Sequence, residues 1–281
     1  MASSLESGWA VGINTYAYIW RMSARETLVH LADRGYRRFE LLVNAPHLWP
    51  ESLDRAERRA VAALLEERGL TIDVLNPPSL DLNLVSPSLQ MREMTRAHYR
   101  RVIELASDWQ VANVLIVPGK THPLLPAPAE RVWGWFSEAV EELDRYAEDK
   151  GVRIILENVP MAFLPRAADL MAALDRLGID RLGLCYDVAN AVFAGEAPER
   201  GLRMVAPRLS VLHLSDTGRE KWDHAAIGTG VVPFAAVAEA MREAAIRVPT
   251  MLEIISPDGD RDIAQSHQVL AGLGWEAPPS V

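Results

Sequence analysis

A single cysteine, Cys185, in 281 residues excludes an intramolecular disulfide and any thiolate cluster that could hold a metal. Cys185 reads as a small apolar residue within a strand. Positive charge is also short. There are 29 Lys and Arg against 38 Asp and Glu, a formal net charge of −9, whereas most nucleic-acid binders carry a basic balance. No apolar run approaches the roughly 20 residues of a membrane span. The opening residues, MASSLESGWA, lack the basic-then-apolar order of a secretory signal. These absences lead us to expect a cytoplasmic enzyme with neither a nucleic-acid nor a membrane partner. No GxGxxG element opens the first strand–helix unit and no GxxxxGKS/T is found, so an open dinucleotide-binding sheet loses support. Only AIGTG, residues 226–230, has a related glycine-rich character.

What the chain does have is alternation. Short apolar runs rich in Val, Ile and Leu occur in WAVGINTY, RRFELLV, LTIDVLN, ANVLIVPG, VRIILEN, LGLCYDV, LSVLHLS and VPTMLEI. Such runs suit strands buried on both faces. Amphipathic helical patterns lie between them. SLDRAERRAVAALLEERG stops at Gly69, the PAERVWGWF pattern runs on to Gly151, and PRAADLMAALDRLG stops at Gly178. Proline near a helix start and glycine past its end is the expected asymmetry. Regular β-then-α order implies a parallel sheet. Eight such units imply a single α/β domain over residues 1–281, a closed (β/α)8 TIM barrel with about eight helices.

In such a barrel the carboxyl ends of the strands converge on one face. The fifth strand ends at Glu157 and Asn158, the sixth at Asp187, the seventh carries His213 and then Asp216, and the eighth ends at Glu253. Any one of these could be a surface residue at a strand end, but four consecutive strands deliver an acid or an imidazole to the same rim. Three converging carboxylates repel one another unless a cation sits between them. Oxygen ligands with one imidazole suit a divalent ion such as Mn, Mg, Co or Fe, with Zn also allowed.

The segments ILEN, CYDVANAVFAGE, VLHLSDT, DHAAIGTGVVPF and MLEI resemble the sugar phosphate isomerase/epimerase superfamily, the xylose isomerase-like barrels. That superfamily includes ketose 3-epimerases, inosose dehydratases, 3-dehydroshikimate dehydratases and the endonuclease IV type of DNA repair enzyme. The resemblance implies one divalent metal held by Glu157, Asp187, His213 and Glu253, the set the strand ends already picked. Departures narrow the choice. The trinuclear endonuclease branch places histidines where this chain has Val117 and Asn190, and the dehydroshikimate dehydratase type places Gln at His213. Epimerases of free ketoses often have His at Asn190, whereas those of pentulose phosphates often read DVGN, closer to DVAN here.

The expected chemistry is isomerisation or epimerisation of a ketose sugar or sugar phosphate, through a metal-stabilised enediolate. Glu157 and Glu253 act as the acid/base pair on opposite faces of the substrate. The alternative is a metal-dependent lyase of the inosose dehydratase type at the same site. Further candidates for substrate contact are Lys120, Arg219, His224, Asn190 and Tyr16. Glu40 is either a structural partner of Arg37 or Arg38 or a substrate contact. Asn158 and Asn190 are expected to orient ligands, and His98, His122 and His267 to be structural or solvated. Of the aromatics near the first strand, Trp9 is expected in the core and Tyr16 in the pocket. The expected partners are a small sugar or polyol-derived molecule and, as barrels of this type often pair, a second copy of the chain.

Overall fold

The computed structural model describes residues 8–77 and 81–280. The first seven residues, on which most of the reading about a secretory signal rests, and residues 78–80 lie outside them. All eight apolar runs form strands: β1 Val11–Asn14, β2 Arg38–Leu42, β3 Thr71–Asn76, β4 Asn113–Ile116, β5 Arg153–Glu157, β6 Gly183–Asp187, β7 Leu209–Leu214 and β8 Thr250–Leu252. They pair in chain order, all parallel, and β1 closes on β8 through Val11–Thr250, Gly12–Met251 and Ile13–Leu252. No helix among the described residues is long and apolar enough to cross a membrane.

The helices are α1 Ala24–Asp33, α2 Arg55–Arg68, α3 Leu89–Asp108, α4 Ala129–Glu148, α5 Ala167–Leu177, α6 Val188–Phe193, α7 Pro198–Val205, α8 Phe234–Glu243 and α9 Gly259–Ala271. Their ends follow local chemistry. Ser23 and Glu26 form a reciprocal capping box, while Asp54 and Ser88 accept from backbone N–H groups in the first turns of α2 and α3. Gly69 and Gly178 end α2 and α5 in the left-handed region, which glycine enters without steric cost. One helix exceeds the expected eight. It is α6, a short turn that begins directly on Asp187 before α7 completes the same unit.

Two apolar layers hold the barrel. The larger fills the space between strands and helices, with Phe39, Phe136, Leu170 and Leu212 fully buried. The smaller plugs the barrel interior with Val74, Leu115, Ile155, Cys185, Val211 and Met251. Cys185 packs in this layer as a strand residue, with its Sγ within 4.8 Å of ligand atoms of Glu157 and His213. Interior space is tight enough that a Cβ on Gly12 would meet Met251 Sδ at 2.4 Å. Trp9 sits in the outer layer against Trp275 with ring centroids 4.8 Å apart. His98 and His267 are buried and stack on Trp49 and Tyr36, which agrees with structural roles.

The loop after β7 is wound around one carboxylate. Asp216 Oδ1 accepts from the N–H groups of Thr217 and Val232, and Oδ2 from those of Gly228 and Gly230, all at 2.9–3.0 Å. Both glycines are required here. Gly228 has φ +91°, and a Cβ on Gly230 would lie 2.4 Å from Asp216 Oδ1. Asp216 is therefore an organiser of the loop that carries His224. Asp216→Ala leaves four N–H groups without their acceptor and should cost about 2–4 kcal/mol, read as a lower denaturation midpoint. A loss under about 0.5 kcal/mol, the level of an ordinary surface change, would contradict this role.

Candidate metal centre and active site

Parallel register brings the strand ends together. Glu157 is the last residue of β5 and pairs with Cys185, Asp187 is the last of β6 and pairs with His213, and Glu253 directly follows β8. His213 Nδ1 lies 3.3 Å from Glu157 Oε1, 3.3 Å from Glu253 Oε2 and 3.8 Å from Asp187 Oδ2. The ligand atoms of these four side chains all fall within 4.8 Å of one another, and each residue is 5% exposed or less.

Surrounding groups leave this cluster unsatisfied in a specific way. Glu40 Oε2 lies 2.9 Å from His213 Nε2, while Glu40 Oε1 accepts from Asn14 Nδ2 at 2.8 Å and Asn76 Nδ2 at 2.7 Å. A carboxylate at Nε2 holds the ring proton there, so Nδ1, whose proton the surrounding acids retain, is the nitrogen that would turn its lone pair to a cation once that proton is displaced. Asp187 Oδ1 accepts from Asn190 N at 2.6 Å, and the Asp187 backbone is clamped in both directions by Asn158. The two atoms pointing at the centre, His213 Nδ1 and Asp187 Oδ2, are buried without a hydrogen-bond partner. Buried polar atoms are rarely left so. Three carboxylates and one imidazole with orphaned lone pairs fit a hard or borderline divalent cation. Among the described residues the clusters able to hold a metal share Glu157 and His213, so they form one centre. Val117 and Asn190, where the endonuclease branch has histidines, instead line the neighbouring cavity.

Charge crowding also sets the titration. Burial, reinforced by Glu253 and Asp187 and opposed by His213, pushes Glu157 up to about 7. Burial likewise raises Asp187 to about 6 despite His224. For Glu253 burial is overcome by His213 and His224, which hold it well below the usual carboxylate range. His224 Nδ1 stands 3.2 Å from Glu253 Oε2 and 3.0 Å from Ser215 Oγ. Burial would lower its pKa, but Glu253 and Asp187 raise it to about 9. Burial, then Glu253 and Glu157, carry Tyr16 to about 12, so its phenol stays protonated.

A cavity of about 270 Å3 opens over the cluster. Glu157, Glu253, Tyr16, Asn190 and His224 line it as expected, joined by Asn76, Trp222 and Asp223. Asn190 Oδ1 accepts from Trp222 Nε1 at 2.8 Å. Three expectations need correction. Glu40 is 0% exposed and neither pairs with Arg37 or Arg38 nor reaches the cavity, because the Asn14–Asn76–His213 ring encloses it. Lys120 is half-buried outside the cavity lining, its peptide held by Asn83. Arg219 is exposed on the loop beyond Asp216, also away from the lining. Asn14 and Asn76 were missed, although each ends its strand just as the carboxylates do. Counting strand-end residues around the whole rim would have found them.

Cation binding must displace protons from the cluster, so affinity should fall as pH drops through the values of Glu157 and Asp187. Calorimetry with Mn2+ should give an affinity at pH 6 at least about tenfold below that at pH 8, with proton release at the lower pH. An affinity constant across that range would contradict the assignment. Glu40→Gln, which touches no cation, should weaken binding by about 10- to 100-fold, and Glu40→Asp should restore part of it. Unchanged affinity in Glu40→Gln would remove Glu40 from the centre.

Similarity to known proteins agrees with this architecture. The chain is 23% identical over 252 residues to 3-oxo-isoapionate decarboxylase of Pectobacterium atrosepticum, covering 83% of this chain and 81% of that one. A D-tagatose 3-epimerase-like protein shares the fold with a TM-score of 0.82 at 21% identity, over 94% of this chain and 96% of the other. So does the IolI protein, solved with a bound zinc atom, with a TM-score of 0.81 at 17% identity over 94% and 97%. The model of the xylose isomerase-like TIM barrel family matches residues 28–273, and the chain belongs to that family.

Proposed function

We propose that this protein is a divalent-metal-dependent isomerase or epimerase that enolises a ketose sugar or a related polyol-derived ketone. The observation that carries this reading is the pair Glu157 and Glu253, both lining one cavity and both within 3.3 Å of His213 Nδ1. Two carboxylates flanking a bound carbon can remove a proton from one face and return it to the other. The first takes the proton from the carbon next to the carbonyl, and the electron pair of that C–H bond moves into the enediolate. The second delivers a proton to the opposite face, so the centre inverts with no net change in atoms. Delivery to the neighbouring carbon gives isomerisation instead.

Glu157, Asp187, His213 and Glu253 would hold a divalent cation, Mn, Mg, Co, Fe or Zn, whose chemistry when bound is Lewis-acid polarisation of the substrate carbonyl. Tyr16 and Asn76 offer hydrogen bonds to hydroxyl groups from the cavity wall, and His224 offers a proton beside Glu253. Similarity to an epimerase-like protein supports the reading at the level of fold, and the family supports an enzyme. The second reading, a lyase, draws support from the decarboxylase relative, since an enediolate is also what loss of carbon dioxide or water passes through.

The test is proton exchange. Metal-loaded enzyme in D2O with a panel of ketoses and inososes should place deuterium on the carbon next to the carbonyl and yield the epimer, followed by NMR. Glu157→Gln and Glu253→Gln should each lower turnover by about 100- to 10,000-fold. A product lighter by water would establish the lyase. A Gln variant of either residue with wild-type turnover would overturn the two-carboxylate mechanism.

A further inference from the structure

The cavity is a poor host for a phosphate. None of the 29 Lys and Arg residues lines it, and none falls in the segments outside the described residues. The imidazole in its wall, His224, already faces Ser215 and Glu253. Of the carboxylates in the same wall, Glu157 and Glu253 belong to the cation cluster and Asp223 pairs with Lys221 Nζ at 2.8 Å. With the cation engaged by the sugar carbonyl, a phosphate buried there would have no Lys or Arg in the wall to pair with.

Barrels of this kind commonly seat phosphates on backbone N–H groups of the loops after the seventh and eighth strands. Here the N–H groups of Gly228, Gly230 and Val232 in the β7 loop already donate to Asp216. The chain's own carboxylate fills the anion nest. After β8, the first turn of α9 carries Asp260, paired with His30 and Arg34, and Asp262, paired with Arg261. Asn190, whose DVAN setting resembles the phosphate-acting epimerases, has its Oδ1 held by Trp222 Nε1.

An apolar surface is present instead. A second cavity of about 390 Å3 adjoins the first and shares Tyr16 and Ile255 with it. Ala17, Ile19, Trp20 and Pro257 complete most of its wall. Trp20, 76% exposed, supplies the large aromatic face of this trough. Arg21 and Ser256 also line it, and Arg21 directs Nη2 to the Ala17 carbonyl at 2.9 Å.

On the footing of the enolising chemistry above, we propose that the substrate is a neutral, unphosphorylated ketose or keto-polyol bearing an apolar substituent. The sugar lies over Glu157 and Glu253, and the substituent lies in the trough against Trp20.

The test is calorimetric titration of metal-loaded protein with D-fructose, D-fructose 6-phosphate and 1-deoxy-1-(p-tolylamino)-D-fructose, with proton exchange in D2O followed in parallel. The tolylamino ketose should bind at least about tenfold tighter than fructose, and the phosphate no tighter than fructose. Trp20→Ala, at an exposed position, should bring the tolylamino-to-fructose ratio close to one. The proposal is overturned if the phosphate binds tightest, if the tolylamino ketose gains nothing, or if its gain survives in Trp20→Ala. It is also overturned if sedimentation shows a dimer that Trp20→Ala dissociates while no tolylamino preference exists, because a second copy then covers the trough. Exchange separates the two claims. A Trp20-dependent preference without exchange upholds the trough and rejects enolisation, whereas exchange without the preference does the reverse.

Discussion

Three carboxylates and an imidazole buried within 4.8 Å of one another cannot all hold their charges in a dry interior. Either protons or a cation must neutralise them, and the rest of the active end is arranged around that constraint. Glu40 is the key to which way it goes. Its carboxylate, fixed by Asn14 and Asn76, engages His213 Nε2 and so commits Nδ1 to the centre. Asn14 also donates to Glu253 Oε1 at 3.1 Å, tying the brace to the carboxylate it supports. Without a cation the acids hold a proton on the His213 ring, and a divalent ion would replace it while neutralising all three carboxylates.

Rigidity of the scaffold makes this arrangement tolerable. Parallel register places Asp187 beside His213 across β6 and β7, and the packed barrel interior beneath admits no slack at Gly12. Asp216 performs the corresponding task for the irregular loop, gathering four backbone N–H groups so that the loop carrying His224 keeps one shape. The same contact removes those N–H groups from ligand binding. One side chain thereby both holds the loop and occupies the backbone donors that the loop would otherwise offer a ligand.

Much of this was legible in the chain. Eight apolar runs alternating with amphipathic helices specify a closed parallel barrel because each run is too short and too apolar for anything but a strand buried on both faces. The convergence of Glu157, Asp187, His213 and Glu253 was legible for a related reason, since four consecutive strands deliver them to one rim. Glu40 was read less well. An acid near two arginines suggests an ion pair, but β2 turns Glu40 inward among Asn14, Asn76 and His213, contacts that span up to 173 positions in sequence. Lys120 and Arg219 show the same limit from the other side. Each lies on a loop after a strand, yet position along the chain does not say which side chains reach the cavity. Trp222 and Asp223 enter it because Asp216 folds their loop back, a result of backbone hydrogen bonding that no local pattern encodes.

The central claim is one divalent cation held by Glu157, Asp187, His213 and Glu253. Anomalous diffraction from crystals of the protein loaded with Mn2+, recorded at a wavelength where manganese scatters strongly, tests it most directly. The account requires a single peak among these four side chains, with His213 contributing Nδ1 and Glu40 remaining on Nε2. A peak elsewhere, several peaks, or none at saturating manganese would contradict it and leave the barrel without its proposed chemistry.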